Sequence, residues 1–149
     1  MCSIQNDFFQ YMIGNTDFSV ANRHNEKLLF AGNKIFPVPY GFDMSGLLNA
    51  SYYDVSQVNG TTQAITEVTQ RLFRHFKRDE VYYQKARKEF LDNRIEMLEN
   101  IDSLEVHFDD PKEFSMAKEY IVSFFEVLVD DKKFDEYILE KLGLNRFLF

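Results

Sequence analysis

The segment that most restricts the fold runs from Asp110 to Leu128. Ala117, Tyr120, Ile121, Phe124, Phe125 and Leu128 recur there at helical spacing, so one side of a long helix is apolar and has to be covered. Asp110 caps such a helix well, and Pro111 fits its first turn. The same period recurs elsewhere. Ile4, Phe8, Phe9, Met12 and Ile13 form an apolar stripe that Gly14 and Asn15 stop. Ile65, Val68, Leu72, Phe73 and Phe76 align over TTQAITEVTQRLFRHF, with Thr61 or Thr62 as the cap. From about Asp79, Val81, Tyr82, Ala86, Phe90, Ile95 and Leu98 are the candidate core, and a last short helix over about 132–142 ends at Gly143.

Between the first stripe and the later ones the pattern changes. KLLF and IFPVPY flank Gly32-Asn33 and read as a β-hairpin, with Pro37 and Pro39 confining the second strand to an edge. Residues 41–60 carry no stable period, and a long irregular connection inside a compact domain is usually functional or disordered. The expected fold is mainly α (α+β in the broad sense) with one small hairpin. It forms a single domain over 1–149, with loops and hairpin in 1–60 and helices in 61–149.

Composition supports a core and removes several function classes. With 45% hydrophobic residues, including 16 Phe and 8 Tyr, a chain of 149 residues has enough to bury. A formal net charge of -7 argues against a grip on nucleic acid, which needs a basic face. Cys2 is the single cysteine, so no internal disulfide forms, and no basic neighbour lowers its pKa toward a nucleophile's. No apolar run reaches the roughly 18 residues of a membrane span, and polar residues follow Met1 where a signal peptide would be apolar. The expectation is a soluble chain, cytoplasmic by default. The basic side chains Arg71, Arg74, Lys77 and Arg78 read as a solvated helix face, and His75 and His107 as surface histidines.

If the hairpin turns at Gly32-Asn33, position 25 lies opposite about position 40. Asn25 then comes close to Asp43, and Asp17 lies just upstream in the same loop. Three oxygen-bearing side chains at one end of a hairpin suit a hard cation such as Mg²⁺, with phosphates completing its shell. Asp, then Asn, then a hairpin, then Asp is also the order used by protein-kinase-like phosphotransferases. There the first Asp accepts or orients the proton of the attacking hydroxyl, and the Asn and last Asp hold Mg²⁺. Each residue has a plainer reading too. Asp17 caps a loop amide, Asn22 and Asn25 are left-handed turn formers, and Asp43 opens a turn with Ser45 and Gly46. His24 is a structural hydrogen-bonder, since no second His or Cys lies near it to make a zinc set.

GNTDFSVANRHN followed by PVPYGFDMSGLLNASY resembles the catalytic-loop and metal-loop region of an atypical kinase-like family of bacterial proteins. That family is related to the spore-coat CotH-type kinases and more distantly to HipA-type kinases. Its first motif is similar to Gly-Asn-Thr-Asp with a His-Asn pair after it, and its second to Pro-Tyr-Asp-Phe-Asp-x-Ser-Gly. The resemblance implies a helical kinase-like C-terminal lobe in which Asp17 is the catalytic-base equivalent and Asn25 and Asp43 are metal ligands. Asn22 competes with Asn25 for its role. Mg²⁺ and ATP are implied as cofactors by the resemblance alone, and neither is required for folding.

Two departures from the family stand out. Where it has two acids flanking an aromatic, this chain has Gly41-Phe42-Asp43. No G-x-G-x-x-G precedes Asp17, and no G-x-x-x-x-G-K-[ST] occurs anywhere. The expectation is therefore a C-terminal lobe alone, truncated and inactive by itself. Its partner would be the missing N-terminal lobe, or a second copy joined through apolar surface left uncovered near residues 4–13 and the hairpin. The competing expectation is a helical protein-interaction module that keeps the kinase-like scaffold without catalysis.

Overall fold

The structure is a computed structural model, which describes residues 2–18, 24–49, 65–75 and 77–140. It is mainly helical with one two-stranded antiparallel hairpin. The elements are α1 (Cys2–Ile13), β1 (Glu26–Ala31), β2 (Lys34–Pro39), α2 (Glu80–Asp92), α3 (Arg94–Asp102), α4 (Pro111–Val129) and α5 (Asp131–Phe134). A 3₁₀ turn at Glu105–His107 precedes α4, and α5 continues as a π-helical turn over Asp135–Leu139.

α1 is the central element. Ile4, Phe8, Tyr11 and Ile13 are buried, and so are the polar Asn6, Asp7 and Gln10. A helix covered on this many sides needs partners all round. Phe8 meets Phe73 edge-on at 5.5 Å, and its ring centroid is 5.6 Å from that of Phe90 and 6.3 Å from that of Phe134. Phe124 extends the aromatic core to α4, at 5.6 Å from Phe90 and 6.2 Å from Tyr11. The α4 stripe is met as expected: Ile121, Phe124, Phe125 and Leu128 are buried, and Asp110 accepts from the Lys112 amide at 2.8 Å. α1 ends as its Gly14-Asn15 sequence requires. Gly14 has φ +64°, its amide bonds the Tyr11 carbonyl at 3.1 Å, and the Asn15 amide bonds the Gln10 carbonyl at 2.9 Å, a Schellman closure.

Three expectations are corrected. The helix expected over 61–76 is absent from its described part, because residues 65–75 run without helical pairing. Ile65 and Phe73 are still buried, so the apolar pattern is satisfied by a strap laid across the core. The polar residues of the strap hold it in place. Arg71 donates to the Met12 carbonyl at 3.2 and 3.1 Å, to Ser123 Oγ at 2.8 Å and to the Tyr120 carbonyl. Arg71 and Arg74 are thus structural arms and not a solvated face.

The second correction concerns the helix expected from Asp79, which breaks at Asn93. There φ is −97° and ψ 5°, and the Asn93 side chain back-bonds to the Glu89 carbonyl at 2.8 Å. The buried face of α2 is Tyr83, Ala86 and Phe90, so Tyr83 replaces Val81 and Tyr82, which are exposed, as is Ile95 on α3. The third is His75, which is tucked between Phe73 and Tyr83 at ring-centroid distances of 5.0 and 5.6 Å and is not a surface residue. The expected caps Thr61 and Thr62 and the stop at Gly143 lie outside the described residues.

Candidate active site

The hairpin register follows the turn at Gly32-Asn33. Glu26 pairs with Pro39 and Ala31 with Lys34, and the Tyr40 amide bonds the Asn25 carbonyl at 3.0 Å. Asn25 therefore sits at the root of the hairpin, opposite the start of the Gly41–Asn49 loop. Its backbone is left-handed, φ +52°, a conformation that Asn tolerates because its short amide can bond locally. Its side chain does so across eight residues. Nδ2 donates to the Asp17 carbonyl at 2.7 Å and to Asp17 Oδ2 at 3.0 Å. His24 Nε2 lies 3.1 Å from the other carboxylate oxygen, Oδ1. With the carboxylate oxygen as acceptor, the ring nitrogen Nε2 is the donor of this contact. Both Asp17 oxygens are thus oriented by neighbours, and at 31% side-chain exposure the carboxylate still faces solvent.

Asn15 joins this loop to the next one. Gln10 Oε1, fully buried on α1, accepts from Asn15 Nδ2 at 2.9 Å, and Asn15 Oδ1 accepts from the Asp17 amide at 3.0 Å. The Asn15 main chain pairs with Ser45, and the Gly46 and Leu47 amides bond the Gly14 and Ile13 carbonyls, each at 3.0 Å. Arg74 Nη1 adds a bond to the Thr16 carbonyl at 2.8 Å. Sequence reasoning missed Gln10, Asn15 and Arg74 as supports. Gln10 carried a signal, since a polar residue at a position flanked by the apolar stripe of α1 is unusual without a partner.

Asp17 and Asn25 are therefore brought together, with His24 as a third member. Asp43 is exposed, in the turn between Gly41 and Ser45, which is pinned to Asn15. Asn22 lies outside the described residues. Among the described residues no three His, Cys, Asp or Glu side chains gather as a metal cluster, so a cation here depends on the Asn25 amide oxygen. An amide oxygen and an exposed carboxylate are donors of the kind that hard ions take. Because Asn25 Nδ2 is committed to Asp17, its Oδ1 is on the side of Gly41. Gly41 is itself constrained. It has φ +69°, and a Cβ added there would lie 2.9 Å from Asn25 Oδ1.

Beneath the site runs a buried polar layer. Asn6 Nδ2 donates to Glu26 Oε2 at 2.7 Å, and burial raises the Glu26 pKa. Burial pushes the Asp7 carboxyl up to about 8, Arg78 opposing and Glu26 adding to the shift. Burial also pushes His75 down to about 4, with Arg78 acting in the same direction.

Among the described residues no helix is long and apolar enough to cross a membrane. In comparisons with known proteins, no family model matches the chain, and neither a curated protein nor a solved structure matches it.

Proposed function

We propose that residues 14–49 are the catalytic and metal-binding loops of a kinase-like, Mg²⁺- and ATP-dependent phosphotransferase, of which this chain is the helical C-terminal lobe. The observation that carries the reading is the clasp between Asp17 and Asn25 at the root of the hairpin. It matches the Asp-Asn-hairpin-Asp order that the resemblance to CotH-type kinases assigns to a base and two metal ligands. Asp17, its carboxylate held by His24 and Asn25, would orient the attacking hydroxyl and take its proton. Asn25 Oδ1 and Asp43 would hold Mg²⁺, which when bound neutralises phosphate charge. The nucleotide's remaining contacts would come from a second lobe. The apolar side chains that the hairpin exposes, Leu29, Phe30 and Ile35, are where that lobe or a second copy of the chain would rest.

The test is an amide-resolved NMR titration with Mg²⁺ and ATP at millimolar concentration. Shifts centred on Asn25, Gly41 and Asp43 that vanish in Asp43→Asn are expected, and unmoved signals there would remove the reading. With a second lobe supplied, Asp17→Ala is expected to cut phosphate transfer by on the order of 10²-fold or more.

The second reading, a helical interaction module without catalysis, is favoured by the same exposed hairpin residues. Under it the Asp17, Asn25 and Asp43 substitutions leave partner binding intact, and Phe30→Glu abolishes it.

A further inference from the structure

Residues 92–113 contain eight acidic side chains and two basic ones, Arg94 and Lys112, a net charge of -6 in a chain whose formal total is -7. α3 and the turn that follows it, residues 94–109, supply five of these acids and Arg94, a net charge of -4. α3 is also the one described helix of eight or more residues that buries none of them. A nine-residue helix has little stability of its own, and in proteins such helices persist by covering an apolar face. α3 does this with the half-buried Met97, Leu98 and Ile101, which pack against the core, and it leaves other apolar side chains outward. Ile95 is 73% exposed and Val106 82%, with Leu104 also exposed.

The turn presents these residues in a fixed conformation. The Leu104, His107 and Phe108 amides bond the Ile101, Leu104 and Glu105 carbonyls at 2.9, 2.9 and 3.1 Å. The Phe108 ring lies 5.4 Å from that of the buried Phe114, which ties the turn to α4. Lys118 pairs with Asp102 and fixes the end of α3 to the same helix.

We infer that α3 and the 103–109 turn form a docking surface for a basic amphipathic segment of a protein partner. Aliphatic side chains of that segment would cover Leu104, Val106 and Ile95, and its Lys and Arg residues would face Glu99, Glu105 and Asp109. Charge complementarity selects this occupant. Nucleic acid and anionic lipid are repelled by the surface, and a second copy would bring like charge against like. The inference does not depend on the phosphotransferase reading, because the surface shares no residue with the loops at 14–49.

The experiment is fluorescence anisotropy of a labelled synthetic Leu/Lys peptide of helical amphipathic pattern against the full chain. A second peptide of equal charge, with Ser in place of Leu, serves as the comparison. Saturable binding is expected for the first, with the Ser peptide about tenfold weaker or more. Affinity should fall when salt rises from roughly 50 to 500 mM. Val106→Ser and Glu105→Lys, both at exposed positions, should each weaken binding about tenfold, while Glu136→Lys, an equal charge change on α5's continuation, should not. Equal affinity for both peptides, an unchanged affinity in Val106→Ser, or an equal loss in Glu136→Lys would overturn the inference. So would a dimer, seen by sedimentation, that Val106→Ser dissociates.

Discussion

Asn25 Nδ2 holds Asp17 twice, at the carbonyl and at the carboxylate, from a residue whose backbone is left-handed. The two properties separate by substitution. Asn25→Gly keeps φ +52° at no steric cost and loses only the clasp, which is expected to cost about 1 kcal/mol. Asn25→Ala adds the strain of a positive φ, for about 2 kcal/mol in total. Asn25→Asp turns a donor into an acceptor facing two oxygens and should cost most. Urea unfolding of the three variants gives the order, and equal losses in Gly and Ala would show that the backbone is not strained.

An acid at position 41 is expected to harm this chain. Any side chain there meets a left-handed backbone and the Asn25 amide 2.9 Å from its Cβ. Gly41→Asp should lower stability by about 1–3 kcal/mol. It should also displace Asn25 from Asp17, visible as a changed Asn25 side-chain amide signal. Gly41→Asp in the Asn25→Gly background should cost less, because the obstructing amide is gone.

The sequence carried the parts of this fold that rest on local physics. α1 and its stop at Gly14, the hairpin with position 25 opposite position 40, and α4 with its Asp110-Pro111 start were all legible, because caps, turns and a clean 3.6 period leave few alternatives. What was not legible depended on tertiary partners. The 65–75 strap has an amphipathic spacing, but Arg71 and Arg74 find better acceptors on α1, α4 and the Asp17 loop than a helix would offer. The slip from Val81 and Tyr82 to Tyr83 is one or two residues in phase, decided by contacts with Phe73 and His75. At the site, the hairpin register put position 25 opposite position 40, whereas the clasp of Asn25 on Asp17 and the Gln10-Asn15 support could not be read from spacing.

The buried titratable groups set a pH window. The Asp7 pKa is raised from 3.8 to about 8, so between those values the folded chain binds more protons than the unfolded one. Stability must then fall as pH rises through that range, by up to about 1.4 kcal/mol per unit. Glu26, raised by burial too, acts with the same sign. His75, lowered from 6.5 to about 4, gives stability present above 6.5 and lost as pH falls toward 4. Asp7→Asn should flatten the alkaline limb and raise the melting temperature at pH 8, and His75→Phe should flatten the acid limb. Thermal melts from pH 4 to pH 9 measure both. An Asp7→Asn melt that falls with pH as steeply as the wild type would place the sensitivity elsewhere.

Arg71 is the substitution expected to cost most. Its guanidinium is half-buried, burial lowers its pKa, and it stacks 3.8 Å over the Tyr120 ring while donating to two main-chain carbonyls and Ser123 Oγ. These bonds close the strap onto α1 and α4 at once. A lysine keeps the charge but is a point donor without the planar fork, and cannot reach all these acceptors or stack in the same way. Arg71→Lys should therefore destabilise by about 2–4 kcal/mol, since it leaves part-buried carbonyls without donors. Arg71→Met should fare no better, although it removes a desolvated charge. Because the strap also carries Arg74 to the Thr16 carbonyl, loosening it should raise hydrogen exchange at Thr16 and Asp17 before global unfolding. Exchange that quickens only with the global transition would mean that the strap and the Asp17 loop open as one unit.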